Sequence, residues 1–293
     1  MMVENISVDI LLPTYNGEVY LEEQIRSILN QSYKNLRLII RDDKSTDTTP
    51  DILQRLRNED SRILLVENTE GNLGLVKSIE KLLGFSDAEL IFFSDQDDVW
   101  MENKLEIFLR EYSTADVPVL IHSNCLVTDQ KLNVREPFFS GAPKRKGLEN
   151  SLFNYFVQGA SSMINARLKE VLLPFPDEVY IHDRYFHLAA EAAGRRIYID
   201  EPTMWYRQHE KNLIGSQTLL KKIKNNLGFK KFYIDEDRKL INRLALCFPD
   251  NDLLKAYQEL TSDRVSRFRK IRIITKNKIA LRLKEKILLL LNN

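Results

Sequence analysis

Cysteine is almost missing: Cys125 and Cys247 are the two in 293 residues, and nothing pairs them into a zinc or redox spacing. This argues against a disulfide framework and points to a reducing compartment. A basic start followed by an apolar run is missing too. Met1-Met2-Val3-Glu4-Asn5 has neither, so no signal peptide is expected. No stretch approaches the ~20 apolar residues that span a bilayer. Net charge is only +1, which argues against a nucleic-acid binder working through a globally basic surface. A cytoplasmic protein without a nucleic-acid partner is expected.

What is present begins with short apolar runs. Residues 8–12 form one, ended by the turn-rich Pro13-Thr14-Tyr15-Asn16-Gly17, and helical periodicity follows over 19–29. The pattern returns. Residues 36–40 are apolar, Arg41-Asp42-Asp43-Lys44-Ser45 is polar, and Thr49-Pro50 opens a helix with a capping hydroxyl and an early proline. A third round comprises an apolar run at 63–66, a loop at 68–74 and a helix through Leu83. The fourth strand, 90–93, runs into Ser94-Asp95-Gln96-Asp97-Asp98. Four such units predict an α/β fold, a Rossmann-like, mostly parallel sheet flanked by helices. After His122 the period loosens, with a basic loop at 144–146 and apolar stretches at 153–164 and 197–199. From 219 onward the chain reads as helical, broken near Gly228 and Pro249. The length suits one main domain plus an appendage.

In sheets of this kind, ligands bind beyond the carboxyl ends of the strands. The loops there carry Asn16, Asp42, Asp43, Asp95, Asp97 and Asp98. Carboxylates gathered at one edge repel unless a cation or a donor-rich ligand sits among them. Alternate residues at a strand end project to one side, so Asp95 and Asp97 can share a cation while Gln96 points elsewhere. Hard oxygen ligands suit Mg2+ or Mn2+ held jointly with phosphates. An isolated Asp-x-Asp is as often a solvated loop or helix cap; the apolar strand before this one and Trp100 after it favour the metal.

Asp43 can accept from the imide N–H of uracil or thymine, whereas Asp47 to Thr49 read as turn and cap chemistry. Two further groups are Ile181-His182-Asp183-Arg184 and Tyr206-Arg207-Gln208-His209-Glu210-Lys211-Asn212. An Asp in a partly closed site can take a proton from a hydroxyl, while His and Arg can bind metal or phosphate. Without context, His182 and His209 read as surface or core histidines, and Arg207 as a salt-bridge partner.

Taken together, these motifs resemble the family 2 glycosyltransferases with the GT-A fold. The match runs in order through Leu12-Pro13-Thr14-Tyr15-Asn16, Gln31-Ser32-Tyr33, Asp42 to Asp47, Asn72-Leu73-Gly74, Ser94 to Trp100, His182-Asp183 and Tyr206 to His209. The form of the later motifs looks most like the rhamnosyltransferase branch that builds cell-wall and capsular polysaccharides. The resemblance implies a GT-A domain over 1–215, with a nucleotide-binding half at about 1–100 and an acceptor-binding half at about 101–215. A helical C-terminal extension would occupy 216–293. It implies a nucleotide-sugar site at Pro13, Thr14, Tyr15, Asn16, Asp43, Asn72, Lys77, Ser94, Asp95 and Gln96. Asp95, Asp97 and His209 would hold the metal, Asp183 would be the catalytic base, and Trp100, Gly159, His182 and Arg207 would meet acceptor or diphosphate. The implied donor is a dTDP- or UDP-sugar, with dTDP-rhamnose first, and the implied acceptor a glycan or lipid-linked glycan. Lys44 departs from the family, which commonly has Gly there, and Arg184 stands where the branch often has an aromatic residue.

A sugar-phosphate nucleotidyltransferase would carry a Gly-rich loop after its first strand, where this chain has the single Gly17. A non-catalytic nucleotide-sugar-binding relative would be expected to lack the Asp-x-Asp or the base. Finally, basic charge concentrates in the tail. Residues 264–293 hold ten Lys or Arg and one acid, Glu285. Interleaved isoleucines and leucines make the tail either a packed helix with a solvated basic face or a peripheral contact with the inner face of the plasma membrane.

Overall fold

The first strand is apolar on both faces, and this dictates its place. In the computed structural model, β1 (Val8–Thr14) is buried at every position. Even Asp9 is buried, its carboxylate taken by Arg37 at 2.8 Å and by the Ser86 hydroxyl at 2.7 Å. A strand buried on both sides belongs at the centre of a parallel sheet. It pairs in parallel with β2 (Leu36–Asp42) and with β4 (Leu90–Phe93), and β3 (Ile63–Leu65) continues beyond β2. The structure describes residues 6–113, 116–140, 146–152, 154, 157–209, 236–262 and 264–280.

Alternation along β1 separates two cores. Ile10 and Leu12 face a cluster with Leu21, Ile25 and Ile28 of α1 (Leu21–Leu29) and Leu53 and Leu56 of α2 (Thr49–Glu59). Leu11 faces the other cluster, with Ile79, Leu82 and Leu83 of α3 (Gly74–Phe85). Helices therefore cover both faces, as the repeated strand and helix periods require.

Beyond β4 the sheet is mixed. Its order is β3-β2-β1-β4-β8-β6-β9-β5, with β7 also on β6. β8 (Ser162–Asn165) lies antiparallel between β4 and β6 (Val119–Thr128). β9 (Arg195–Arg207) is parallel to β6, β5 (Val99–Trp100) antiparallel to β9, and β7 (Val134–Pro137) antiparallel to β6. Connecting helices are α4 (Lys104–Glu111), α5 (Leu148–Ser151), α6 (Ala166–Leu172) and α7 (His182–Ala193).

The extension contributes α8 (236–247), α9 (Asp252–Thr261) and α10 (Arg267–Lys276). Leu240, Ile241, Leu244, Leu254 and Tyr257 join the core that holds Phe186 and Leu188 of α7. The break near Pro249 falls between α8 and α9, where Asn251 caps Leu253 and Leu254. The loop residues 144–145, the helical reading over 219–235 with its break at Gly228, and residues 281–293 of the tail lie outside the described residues.

Two local expectations change. The Thr49 hydroxyl does not cap α2: it accepts from Gly17 N at 2.9 Å, and Asp47 takes the Thr49 amide at 3.0 Å. The hydroxyl ties the first two loops together instead. Lys44 occupies the left-handed region at φ +66°, the conformation that suits glycine, at a cost of roughly 1–2 kcal/mol for a side-chain-bearing residue. The Asp42 carboxylate accepts the Ser45 amide at 3.1 Å and holds that turn closed.

Candidate active site

The loops after β1, β2 and β4 meet because their side chains bond across them. Gln96 Oε1 accepts from the Thr14 hydroxyl at 2.6 Å and from Tyr15 N at 2.9 Å, and its amide donates to Tyr15 O at 3.1 Å. Asn16 N donates to Ser45 Oγ at 2.8 Å, and Asn16 Oδ1 accepts Thr46 N at 2.8 Å. A Cβ on Gly17 would lie 2.6 Å from Gln96 Oε1, so a side chain there would disrupt the join. Pro13, one residue before the end of β1, lies opposite Arg41. Ser94 accepts from Gln24 at 2.6 Å, anchoring α1 to the acidic loop.

Asp43 is buried. Its carboxylate receives Leu73 N at 2.9 Å, Gly74 N at 2.7 Å and the Arg41 guanidinium. Burial disfavours its charge, but the Leu73 amide, Arg41 and the Gly74 amide outweigh it and hold the carboxyl below its ordinary range. Three of about four acceptor positions are thereby used, and one remains on Oδ2. Asn72 is exposed on the same loop, whereas Lys77 pairs with Glu80 at 2.9 Å.

The acidic loop gathers three carboxylates. Asp95, Asp97 and Asp98 each offer an oxygen, all within 4.8 Å of one another. Asp98 is fully buried; Oδ1 accepts Arg207 N at 3.1 Å, and Oδ2 has no hydrogen-bond partner among the described residues. An orphaned buried acceptor inside a set of hard oxygen donors is what a divalent cation would satisfy, so these residues fit Mg2+ or Mn2+. Desolvation, then the charges of Asp97 and Asp183, push Asp95 up to about 7, while Lys104 opposes the shift. Burial, then Asp97 and Asp95, raises Asp98 well above the usual carboxylate range.

Lys104 is a buried counterweight beneath this loop. Its Nζ donates to Ala160 O at 2.8 Å and lies 3.7 Å from the Trp100 ring centroid. Burial lowers its ammonium to about 7, against the opposing pull of Asp98, Cys125 and Asp95. Trp100 is buried in the core and supports Lys104. Arg207 is buried too. Its guanidinium donates to Asp97 O at 2.9 Å, Gln130 O at 2.6 Å and Glu23 at 2.5 Å, holding the acidic loop. His209 reaches the cluster through Asp97, Nε2 to Oδ2 at 2.8 Å, with its ring 4.9 Å from that of Tyr20.

Asp183 lies in the first turn of α7, 9% exposed. Oδ2 accepts Gly159 N at 3.3 Å and Oδ1 accepts Arg184 N at 2.9 Å, so backbone donors fix the carboxylate without consuming it. A Cβ on Gly159 would lie 2.6 Å from His182 Nε2, which makes glycine necessary for that approach. His182 packs on Phe93 and Phe186, and burial lowers its imidazole below the ordinary value even with Asp183 beside it. Arg184 binds the carbonyls of Ser151, Leu152 and Asn154 and pairs with Asp237 at 3.0 Å. It is a buried staple between α7 and α8 and does not take the metal or phosphate role.

The sequence reading placed Asp98 at the sheet edge without giving it a ligand role, and it missed the buried Lys104 altogether. Asp98 carried a signal in its adjacency to Asp97; Lys104 carried none. A raised carboxyl favours the protonated folded state, so the metal-free protein loses this contribution as pH rises from about 4 towards 7. A cation replaces the proton. Mn2+ should therefore raise the melting temperature more at pH 8 than at pH 6, measured by scanning calorimetry; an equal or larger rise at pH 6 would contradict the assignment.

With this geometry in place, the comparisons with known proteins are informative. The family model described as glycosyl transferase family 2 matches residues 9–162. A dTDP-rhamnosyl transferase, RfbG, of Shigella flexneri is 31% identical over 84% of this chain and 89% of that protein. A GalNAc(5)-diNAcBac-PP-undecaprenol beta-1,3-glucosyltransferase of Campylobacter jejuni is 29% identical over 59% of this chain and 56% of its own length. Among solved structures, the mannosyltransferase PcManGT of Pyrobaculum calidifontis, in complex with GDP-Man and Mn2+, superposes with a TM-score of 0.57 at 19% identity, covering 97% of this chain and 79% of that one. The mixed sheet with helices on both faces is thus the GT-A arrangement, and the chain belongs to glycosyl transferase family 2.

Proposed function

We propose that the chain is an inverting, metal-dependent glycosyltransferase that moves a sugar from a nucleoside diphosphate donor onto a hydroxyl of a bacterial polysaccharide or lipid-linked glycan. The donor is assigned as dTDP-rhamnose. The observation that supports this reading is the gathering of Asp95, Asp97 and Asp98 into one ligand set above Lys104, which bonds the 159–160 turn that holds Asp183. The rhamnosyl transferase relative supports the donor, and the undecaprenol named for the Campylobacter protein supports a lipid-linked acceptor.

The nucleotide-binding half, about 1–100, would hold the base against Asp43, whose remaining acceptor position suits the imide N–H of thymine or uracil. Asp95, Asp97 and Asp98 would hold the cation, with His209 closing over it through Asp97. When bound, the cation neutralises charge on the departing diphosphate as a Lewis acid. Asp183 accepts the proton of the acceptor hydroxyl as its oxygen bonds to the anomeric carbon and the bond to diphosphate breaks on the opposite side. The single Gly17 and the intact Asp95, Asp97 and Asp183 disfavour a nucleotidyltransferase or a non-catalytic relative.

Asp183→Asn keeps size and removes proton acceptance. Transfer should fall by roughly 100- to 10,000-fold while metal and donor affinity survive. Asp95→Ala should weaken metal-dependent donor binding as well. Calorimetric titration beside initial rates separates the two, and near-normal transfer by Asp183→Asn would remove the base from the account.

A peripheral membrane contact is the second part of the reading, favoured by one surface. Helix α10 turns Ile273 inward and leaves Phe268 88% exposed, with Ile271, Arg267, Arg272 and Lys276 also exposed. No acid occurs between 264 and 280. An exposed aromatic ring amid cations suits an anionic bilayer, each nearby Lys or Arg adding ~1 kcal/mol. Among the described residues no helix is long and apolar enough to cross a membrane. Ala280 N donates to Glu149 O at 2.9 Å, setting the end of this segment beside the carbonyls that Arg184 binds next to Asp183. Full-length protein should sediment with phosphatidylglycerol vesicles, and Phe268→Glu should reduce the bound fraction several-fold. Equal sedimentation of both would reject the contact.

A further inference from the structure

β6 is irregular where it passes the candidate site. Its register against β9 shifts on both sides of Asn124. The side chain of Asn124 uses this irregularity as a clamp, accepting Phe139 N and donating to Phe139 O, both at 3.0 Å. Phe138 N also donates to Cys125 O at 2.9 Å. Backbone bonds thus fix two adjacent aromatic residues at the end of β7, a strand exposed at all four of its positions.

Phe138 remains 42% exposed although it is pinned. Its ring stands edge-on to Tyr206, with centroids 5.7 Å apart at 89°, and edge-on to Phe139 at 4.8 Å and 87°. Tyr206 immediately precedes Arg207, whose amide bonds Asp98, and lies three residues before His209, whose imidazole bonds Asp97. The aromatic pair therefore continues directly from the acidic loop. Burial, then the charges of Asp95 and Asp98, raises the Tyr206 phenol, which agrees with that proximity.

An exposed ring held rigidly beside a reaction centre has apolar area to cover. A pyranose offers the matching surface, an apolar face of C–H groups rimmed by hydroxyls. Ligand sites commonly combine such aromatic walls with a few polar groups. A rigid ring also costs little ordering entropy on contact. We infer that Phe138, braced edge-on by Tyr206, forms a stacking platform for a sugar ring of the acceptor. The inference rests on the proposed transferase function, and it assigns the acceptor to the β6, β7 and β9 side of the site, in the half that the family resemblance implies for acceptor binding.

Saturation-transfer NMR on the full chain tests this, in the presence of dTDP and diamagnetic Mg2+. The probes are the methyl pyranosides of rhamnose, glucose and N-acetylglucosamine. At least one should receive saturation on its ring C–H protons. Phe138→Ala should cut that signal about three- to tenfold, the scale of one lost aromatic contact, and Phe138→Trp should retain it. Melting curves of both variants report folding. Unchanged transfer to the probe in Phe138→Ala overturns the platform, as does silence from all three probes while calorimetry shows Mg2+ and dTDP bound. If Mg2+ and dTDP themselves fail to bind, the proposed function falls and the platform falls with it. Concentration-dependent dimerisation that Phe138→Ala abolishes would assign the patch to a second copy of the chain instead.

Discussion

Everything near the candidate site answers to the repulsion among Asp95, Asp97 and Asp98, with Asp183 close enough to add to it. Carboxylates brought together and partly dehydrated disfavour their own ionisation, so the fold must supply compensating donors or leave room for a cation. It does both. The Arg207 amide takes one oxygen of Asp98, the Arg207 guanidinium takes the Asp97 carbonyl, His209 takes the Asp97 carboxylate, and the other Asp98 oxygen is left open. The topology of the second half follows from this arrangement. β9 lies along the acidic loop because β5, only two residues long, pairs Trp100 with Met204 and Val99 with Trp205.

Lys104 connects that loop to Asp183. One buried ammonium bonds the carbonyl of Ala160, in the turn whose Gly159 amide holds Asp183, and it rests against Trp100 behind Asp98. The acidic cluster and Asp183 are thus mounted on one contiguous set of packed and hydrogen-bonded groups. Arg184 extends the set to Asp237 of α8, and α8 and α9 share the core of α7. Preorganisation of this kind is what positions a nucleophile, a base and a leaving group without motion at the moment of reaction.

The first four strands were legible because each is a short apolar run followed by polar turn residues and a helical period, a local pattern. Asp95 and Asp97 were legible for the same reason, as they end a strand whose neighbours end nearby. The site members that escaped depend on distant partners. Lys104 reads as a solvated helix residue until Ala160 and Trp100 enclose it. Arg184 and Arg207 read as surface or ligand-binding cations, and their buried structural roles are set by carbonyls 30 or more residues away. The pairing of Phe138 with Tyr206 depends on the irregular β6, which no period reveals. Lys44 shows the converse. A turn that suits glycine formed around lysine because Asp42 and Ser45 close it.

The most direct test incubates the protein with dTDP-rhamnose and with UDP-, GDP- and CMP-sugars, together with Mg2+ or Mn2+, and scores the free nucleotide released. Metal-dependent release of dTDP from dTDP-rhamnose, with water taking the rhamnosyl group in place of the glycan hydroxyl and the release abolished by EDTA, is the predicted result. Metal-independent release, or a clear preference for GDP- or CMP-sugars, would contradict the roles given to the acidic loop and to Asp43.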